Sequence, residues 1–376
     1  MNFRRLLFLM MFFAAFAPVG AEVEKDSATV DSVVKQPDVP KRKTKRYIPI
    51  ITPLYHFVQE FSRVDTHYVE PQHYNYTVML QNTNTYEVYH ISNREGQEVV
   101  FTPSPSYRLG PYFGWRWIFL GYTIDLTHLG SDSKKQDFNL SLYSNQIGVD
   151  IFYRKSGTDY RISKVDLGNG TDMSGVKNMC FEGFQTSIKG FNLYYIFNHR
   201  KFSYPAAYSQ STVQRRSYGS PLLGIGYTKH NLKIDLDGLR TLLNEHIPEG
   251  QPPVVIDSTM MFNKVSYTDY SVSGGYAYNW VFAYNWLFDI SLQAALGYKH
   301  TVSDTQDNRS SLFRNFDFKN LNFDGIIRLG VVWNNTRWYF GSSAVFHTYH
   351  YSKSQFSTNN MFGNVNFYVG YNFSKR

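Results

Sequence analysis

Cysteine is nearly absent from this chain: Cys180 is the only one in 376 residues. An intramolecular disulfide is therefore excluded, and Cys180 counts as a small apolar residue. With no cysteine near the start, a lipidated N-terminus is excluded too. Long apolar runs are also missing. Beyond the first twenty residues no stretch reaches the ~20 apolar residues a membrane-spanning helix needs. Mean hydropathy is -0.37 although hydrophobic residues make up 43% and aromatics 18%, with 30 Tyr and 30 Phe. A helical membrane protein cannot combine these values. A β-barrel can, because every second residue of its strands faces a wet interior.

The start reads as a signal peptide over residues 1–21. Arg4 and Arg5 precede an apolar run from Leu6 to Phe16, and Val19-Gly20-Ala21 offers small residues at a cleavage point before Glu22. Residues 22–46 are polar, hold Pro37 and Pro40 and show no period, which predicts a disordered periplasmic linker. The formal charge of +8 falls by two when Arg4 and Arg5 leave with the signal. Part of the rest sits in Lys41-Arg42-Lys43-Thr44-Lys45-Arg46, read as a solvated basic run and not as a nucleic-acid site.

Residues 47–376 read as one all-β domain. In the closing stretch Val365, Phe367, Val369, Tyr371 and Phe373 share one face, with Asn364, Asn366, Gly370 and Asn372 on the other. A terminal strand ending in aromatics behind an export signal predicts an outer-membrane barrel and a bacterial outer-membrane location. Leu321 to Trp333 and Trp338 to Phe346 alternate likewise around Asn334-Asn335-Thr336, and Val272 to Tyr278 and Trp286 to Tyr298 around Asn279 to Asn285. Short turns there and longer links at 301–315 and 238–263 place the former in the periplasm and the latter outside. Around Ser144 to Gln146 the apolar face changes parity, so a turn or a bulge is required. The turn, with one ascending strand drawn from Tyr74 to Phe101, predicts about twelve antiparallel transmembrane strands; the bulge predicts ten.

The stretches Val69-Glu70-Pro71-Gln72-His73-Tyr74-Asn75, Gly110-Pro111-Tyr112-Phe113-Gly114-Trp115-Arg116-Trp117, Tyr143-Ser144-Asn145-Gln146-Ile147-Gly148-Val149-Asp150 and Phe197-Asn198-His199-Arg200-Lys201-Phe202-Ser203-Tyr204-Pro205-Ala206-Ala207 resemble the Gram-negative envelope proteins grouped as domain-of-unknown-function family 4421. The resemblance covers the chain from about Tyr47 onward. It implies an outer-membrane setting and brings no catalytic residue.

Alternation sends Asp125, Asp150, Arg154, Asp289, Asp324, Arg328 and His347 to the barrel interior. There they pair with one another, or form a ring that selects a solute. Residues 199–218 fall on the periplasmic side, where a turn ought to be short, yet hold Arg200, Lys201, Tyr204, Pro205, Tyr208, Arg215 and Arg216. An elongated strand pair, a plug in the lumen and a surface for a periplasmic partner are the three readings. His347 and Ser343 share the lumen face, unsuited to a hydrolase fed from the bilayer, and Gly224-Ile225-Gly226 lacks the strand-turn-helix setting of a nucleotide loop. Asp166 to Asp172 departs from calcium-loop spacing and reads as a Gly/Asn turn. The expectation is thus a noncatalytic barrel without metal or cofactor, bathed in outer-membrane lipid. Small-solute passage or binding comes first, a structural or assembly role with a periplasmic partner second, and a lipid-active barrel enzyme third.

Overall fold

The computed structural model describes residues 63–375 except 105, 116–117, 122–123, 127–135, 156–158, 257–263, 302–317 and 353–355. The expected signal peptide, linker and first residues of the barrel domain lie outside the described residues, as do parts of the long links at 238–263 and 301–315.

The strands are β1 (Val69–Pro71), β2 (Tyr74–Asn93), β3 (Glu98–Pro103), β4 (Ser106–Trp115), β5 (Ile118–Gly121), β6 (Ile124–Asp125), β7 (Gln136–Tyr143), β8 (Ile147–Lys155) and β9 (Tyr160–Asp166). They continue with β10 (Phe184–Ile196), β11 (Thr212–Gln214), β12 (Tyr218–Ile234), β13 (Lys264–Ala283), β14 (Trp286–Thr301), β15 (Leu321–Asn334), β16 (Trp338–Ser352) and β17 (Phe356–Lys375). Among the described residues two α-helices interrupt them, α1 (Tyr204–Tyr208) and α2 (Leu236–Glu245), besides short 3-10 turns at Ser174–Val176 and Phe318–Asn320.

Antiparallel pairing runs along one path of twelve strands, β5-β4-β2-β17-β16-β15-β14-β13-β12-β10-β8-β7. Chain neighbours pair because each hairpin closes locally, and β17 joins β2 through a long register from Phe356↔Asn93 to Lys375↔Tyr74. The path curls back on itself: Arg108 of β4, near one end, reaches Asp137 of β7 at the other with an N–O distance of 3.2 Å.

Parity decides what each strand exposes. Along β15 residues alternate between buried and accessible over the whole strand, with Asp324, Ile326, Arg328, Gly330 and Val332 inward and Phe323, Leu329 and Val331 outward. Short turns close one end of the sheet. Tyr284-Asn285 joins β13 to β14, so this hairpin runs to Ala283, further than a turn over Asn279 to Asn285 would allow. Asn285 and Thr336 take left-handed φ values of 63° and 75°, which the tight reversals require. At Ser144 to Gln146 the chain turns, with Tyr143↔Gly148 the first pair of the β7–β8 hairpin. No bulge is needed to explain the parity change.

One expectation is corrected at the other, long-loop end. The single strand from Tyr74 to Phe101 is broken by a turn over 94–97, and β3 folds back on β2 and pairs with β9. The 238–263 link opens within α2, whose N-cap Asp235 accepts the Gly238 amide at 3.0 Å and whose Leu239 and Leu243 are buried.

The outer face is ordered by depth. Register places Phe191, Tyr227, Tyr270 and Tyr298 in one row across β10, β12, β13 and β14. The next row is aliphatic, Leu193, Ile225, Val272 and Leu296. Near the short turns a second aromatic band holds Trp280, Phe282, Trp286, Trp333, Trp338 and Phe340, with Trp333 and Phe340 rings 5.3 Å apart. Trp286 and Tyr298 are twelve residue steps apart on β14. At a rise of ~3.4 Å and a tilt of ~45° they cover roughly 28 Å, close to the ~25 Å apolar band of a membrane barrel.

Candidate functional site

The inner face of the sheet is where sequence parity concentrates titratable side chains, and it is filled at three depths. At the short-turn end the link from β10 to β12 turns inward. Pro205 occupies the first turn of α1, where its fixed φ suits a helix start. The Tyr204 hydroxyl meets the Ser291 hydroxyl at 2.5 Å, and the Tyr208 hydroxyl donates to Asp289 Oδ1 at 2.5 Å. Behind them Asn279 donates to the Ser203 carbonyl at 2.9 Å and Gln210 donates to the Tyr368 hydroxyl at 3.1 Å. Phe202, Tyr204, Ala206 and Ala207 are buried against Tyr194, Leu222, Leu287 and Val332. The link thus packs as a plug-like segment against the inner face of the sheet, and the elongated strand pair below the sheet is not what the chain forms.

The plug is held from below by the chain that enters the domain. Strand β1 pairs with β11, Val69↔Gln214 to Pro71↔Thr212. Arg215 Nε donates to Glu70 at 2.5 Å and its Nη1 to Asn285 at 2.6 Å. Burial raises the Glu70 carboxyl, but hydrogen bonds from His73 and Arg215 and the Arg215 charge outweigh it and hold Glu70 below the usual carboxylate range. Lys201 and Arg216 lie over the Tyr68 ring at 5.0 and 5.8 Å. Arg200 is exposed, and its carbonyl accepts the Asp65 amide. Lys201, Arg215 and Arg216 therefore face the molecule's own aromatic and acidic groups.

Midway along, ion pairs cross the interior. Arg328 of β15 meets Asp150 of β8 at 2.5 Å although the two strands are five steps apart along the sheet. Its guanidinium also lies 4.6 Å over the Tyr194 ring, which packs across Gly148; a Cβ on Gly148 would collide with that ring. Arg154 reaches Glu87 of β2 at 3.0 Å and Asp137 at 3.4 Å, and donates to Asn364 of β17. His347 is buried, its ring stacked 5.0 Å from Phe362 and tilted 5.6 Å from Phe152. Asp125 accepts from Ser106 at 2.6 Å.

Toward the long loops Lys299 pairs with Asp324 at 2.7 Å and also donates to the His350 carbonyl. Beyond it the interior turns apolar. Tyr267 stacks between His230 and Tyr351, and Phe101 stacks on Phe184 at 4.3 Å. Tyr89, Ile91, Tyr160, Leu239 and Leu243 complete a buried cap built by strand tips, β3, β9 and α2. The oxygens of Asp166, Asn169 and Asp172 accept backbone amides two residues ahead, stabilising the turns of this end.

The seven interior candidates thus all lie on the inner face or its margin, in six separate contacts, and never converge on one centre. Parity reading missed Glu87, Asp137 and Lys299. Lys299 follows the inward parity of Asp289. Glu87 is masked because its inward neighbours Tyr89 and Ile91 are apolar.

A model of the family described as Domain of unknown function (DUF4421) matches residues 63–373. The chain belongs to that family. No curated protein matches it. Among solved structures it is similar to the outer membrane protease OmpT from Escherichia coli, at 6% identity over 80% of this chain and 97% of that one, with a TM-score of 0.35. It is similar to a bacterial polysaccharide outer membrane secretin at 8% identity over 80% and 99%, TM-score 0.30. A third is the transport unit of the autotransporter AIDA-I from Escherichia coli, at 11% identity over 79% and 90%, TM-score 0.30. Likenesses this distant say nothing about the chemistry of this chain.

Proposed function

We propose that the protein is a closed β-barrel of the bacterial outer membrane that acts without catalysis, as an anchoring and assembly component of the envelope. The outward rows support the membrane setting, since aliphatic side chains between two aromatic bands match a bilayer's hydrocarbon core and its interfaces. With short turns facing the periplasm, the plug and the β1–β11 base lie on the periplasmic side and the apolar cap outside.

One observation carries the choice among roles: the interior is crossed at every depth, by plug, ion pairs and cap. Solute passage would require breaking the Arg328–Asp150 and Arg154–Glu87 pairs, each buried and each costly to separate. Lipid hydrolysis is unsupported because His347 and Ser343 face inward, the ring of His347 between aromatics. What remains available to partners is the two ends of the barrel.

The test is conductance across a planar bilayer after insertion of the refolded protein. The parent should give no step conductance. Replacing residues 203–211 by a short linker should leave it silent, because the ionic and apolar layers remain. Steps of constant conductance from the parent would restore the passage reading.

A further inference from the structure

Five lysines stand together on the outer face of β8, β10, β12 and β13, directly beyond the long-loop aromatic row. Lys189 of β10 lies between Tyr153 of β8 and Lys229 of β12, and Lys229 has Thr268 of β13 on its other side. One row further out Lys155 faces Ser187. In the row after that Lys233 faces Lys264. Between the lysines Asn231 donates to the Ser187 hydroxyl at 3.0 Å and accepts from Ser266 at 2.7 Å, so the floor of the patch is polar and ordered.

This arrangement is costly for the protein alone. Like charges directly opposite on paired strands repel, and Lys189↔Lys229 and Lys233↔Lys264 are two such pairs. Outward positions of these four strands from the aromatic row to the loop end hold no Asp or Glu. Asp269 points inward and is buried, and Asp235, just past the end of β12, is engaged as the N-cap of α2. Among the described residues none of the five lysines has an ion-pair or hydrogen-bond partner, whereas Lys164 of β9, nearby in the cap, is paired with Glu98.

We propose that the patch binds the phosphates of an anionic lipid in the external leaflet. The acyl chains lie against Phe191, Ile225 and Val272, and the head group reaches the lysines one to three rows further out. The proposal rests on the membrane reading above, because only in a bilayer do these lysines meet head groups. Strand spacing of ~4.8 Å and a rise of ~3.4 Å make the patch roughly 14 by 13 Å. A phosphate monoester carries about −1.5 to −2, so five ammonium groups match a head group with at least two phosphates.

The test uses full-length protein refolded in phosphatidylcholine nanodiscs, with or without a diphosphorylated acyl-disaccharide lipid, and measures its binding by native mass spectrometry. Lys189→Gln/Lys229→Gln and Lys233→Gln/Lys264→Gln should each weaken binding roughly thirty-fold, about five-fold per lysine, equivalent to about 1 kcal/mol per basic residue near a membrane surface. The same pairs changed to Arg should bind as the parent does. Lys164→Gln/Lys177→Gln, with Lys164 on β9 and Lys177 exposed in the link after it, both outside the patch, should have no effect. Without the anionic lipid the Gln pairs should fold at least as well as the parent, since a like-charge contact is gone. Equal binding by parent and Gln pairs, or equal loss in the Lys164/Lys177 control, would overturn the proposal. So would full competition by inorganic phosphate, which would assign the patch to a soluble anion. Failure of the parent to insert into phosphatidylcholine would instead remove the membrane reading itself.

Discussion

Leu292 lies midway between Trp286 and Tyr298 on β14 and faces outward, 53% exposed. Leu292→Arg should therefore cost about 2 to 4 kcal/mol of folding free energy in lipid, whereas Tyr298→Arg, at the interface, should cost about 0 to 1 kcal/mol. Urea titration of both variants in vesicles reads the difference; equal costs would mean the depth order is wrong. Inside, Arg328→Ala should destabilise by about 3 to 5 kcal/mol by stranding Asp150, while Arg328→Leu/Asp150→Leu should be near neutral. If the double variant is as damaged as the single one, the ion pair is not what sets the cost. At this scale the sequence was readable wherever one face was uniformly apolar, as along β15, where Asp324 and Arg328 follow from parity. Their partners were not readable, because Asp150 meets Arg328 only once the sheet has curled across the four strands between β15 and β8.

Single elements add what alternation leaves out. The plug was visible as an over-long link with Pro205 among tyrosines, but its inward course depends on acceptors far away in sequence, Asp289 and Ser291. Helix α2 escaped because Gly238 interrupts its first turn and only Leu239 and Leu243 mark the buried stripe; its stability comes from the cap it packs against. The β1–β11 base supplies a pH prediction. Glu70 sits below its ordinary value in the folded protein, so its contribution is fully present above the unfolded-state value and fades as pH falls through the depressed folded value. The Arg215 amide, bonded to the Tyr68 carbonyl, should lose hydrogen-exchange protection over that acidic range. In Glu70→Gln its protection should be lower at neutral pH and should not change further on acidification. A parent whose protection is flat with pH would show that the Glu70 contacts do not hold the base.

For the whole molecule, the strand count, the direction of the hairpins and the closing pair β17–β2 follow from local turns plus an apolar face that must stay on one side. The filled interior does not, since it arises from contacts between strands on opposite walls. The central claim is that these strands span a bilayer, with the aromatic rows at its two surfaces. Its most direct test is spin-label accessibility along β14 in vesicles, after Cys180→Ser. Labels at Trp286, Ile290, Leu292, Leu296 and Tyr298 should report oxygen contact rising to a maximum at Leu292 and falling on both sides, with nickel-chelate access in the opposite order. Uniformly high access to the aqueous chelate, with no maximum at Leu292, would contradict the account.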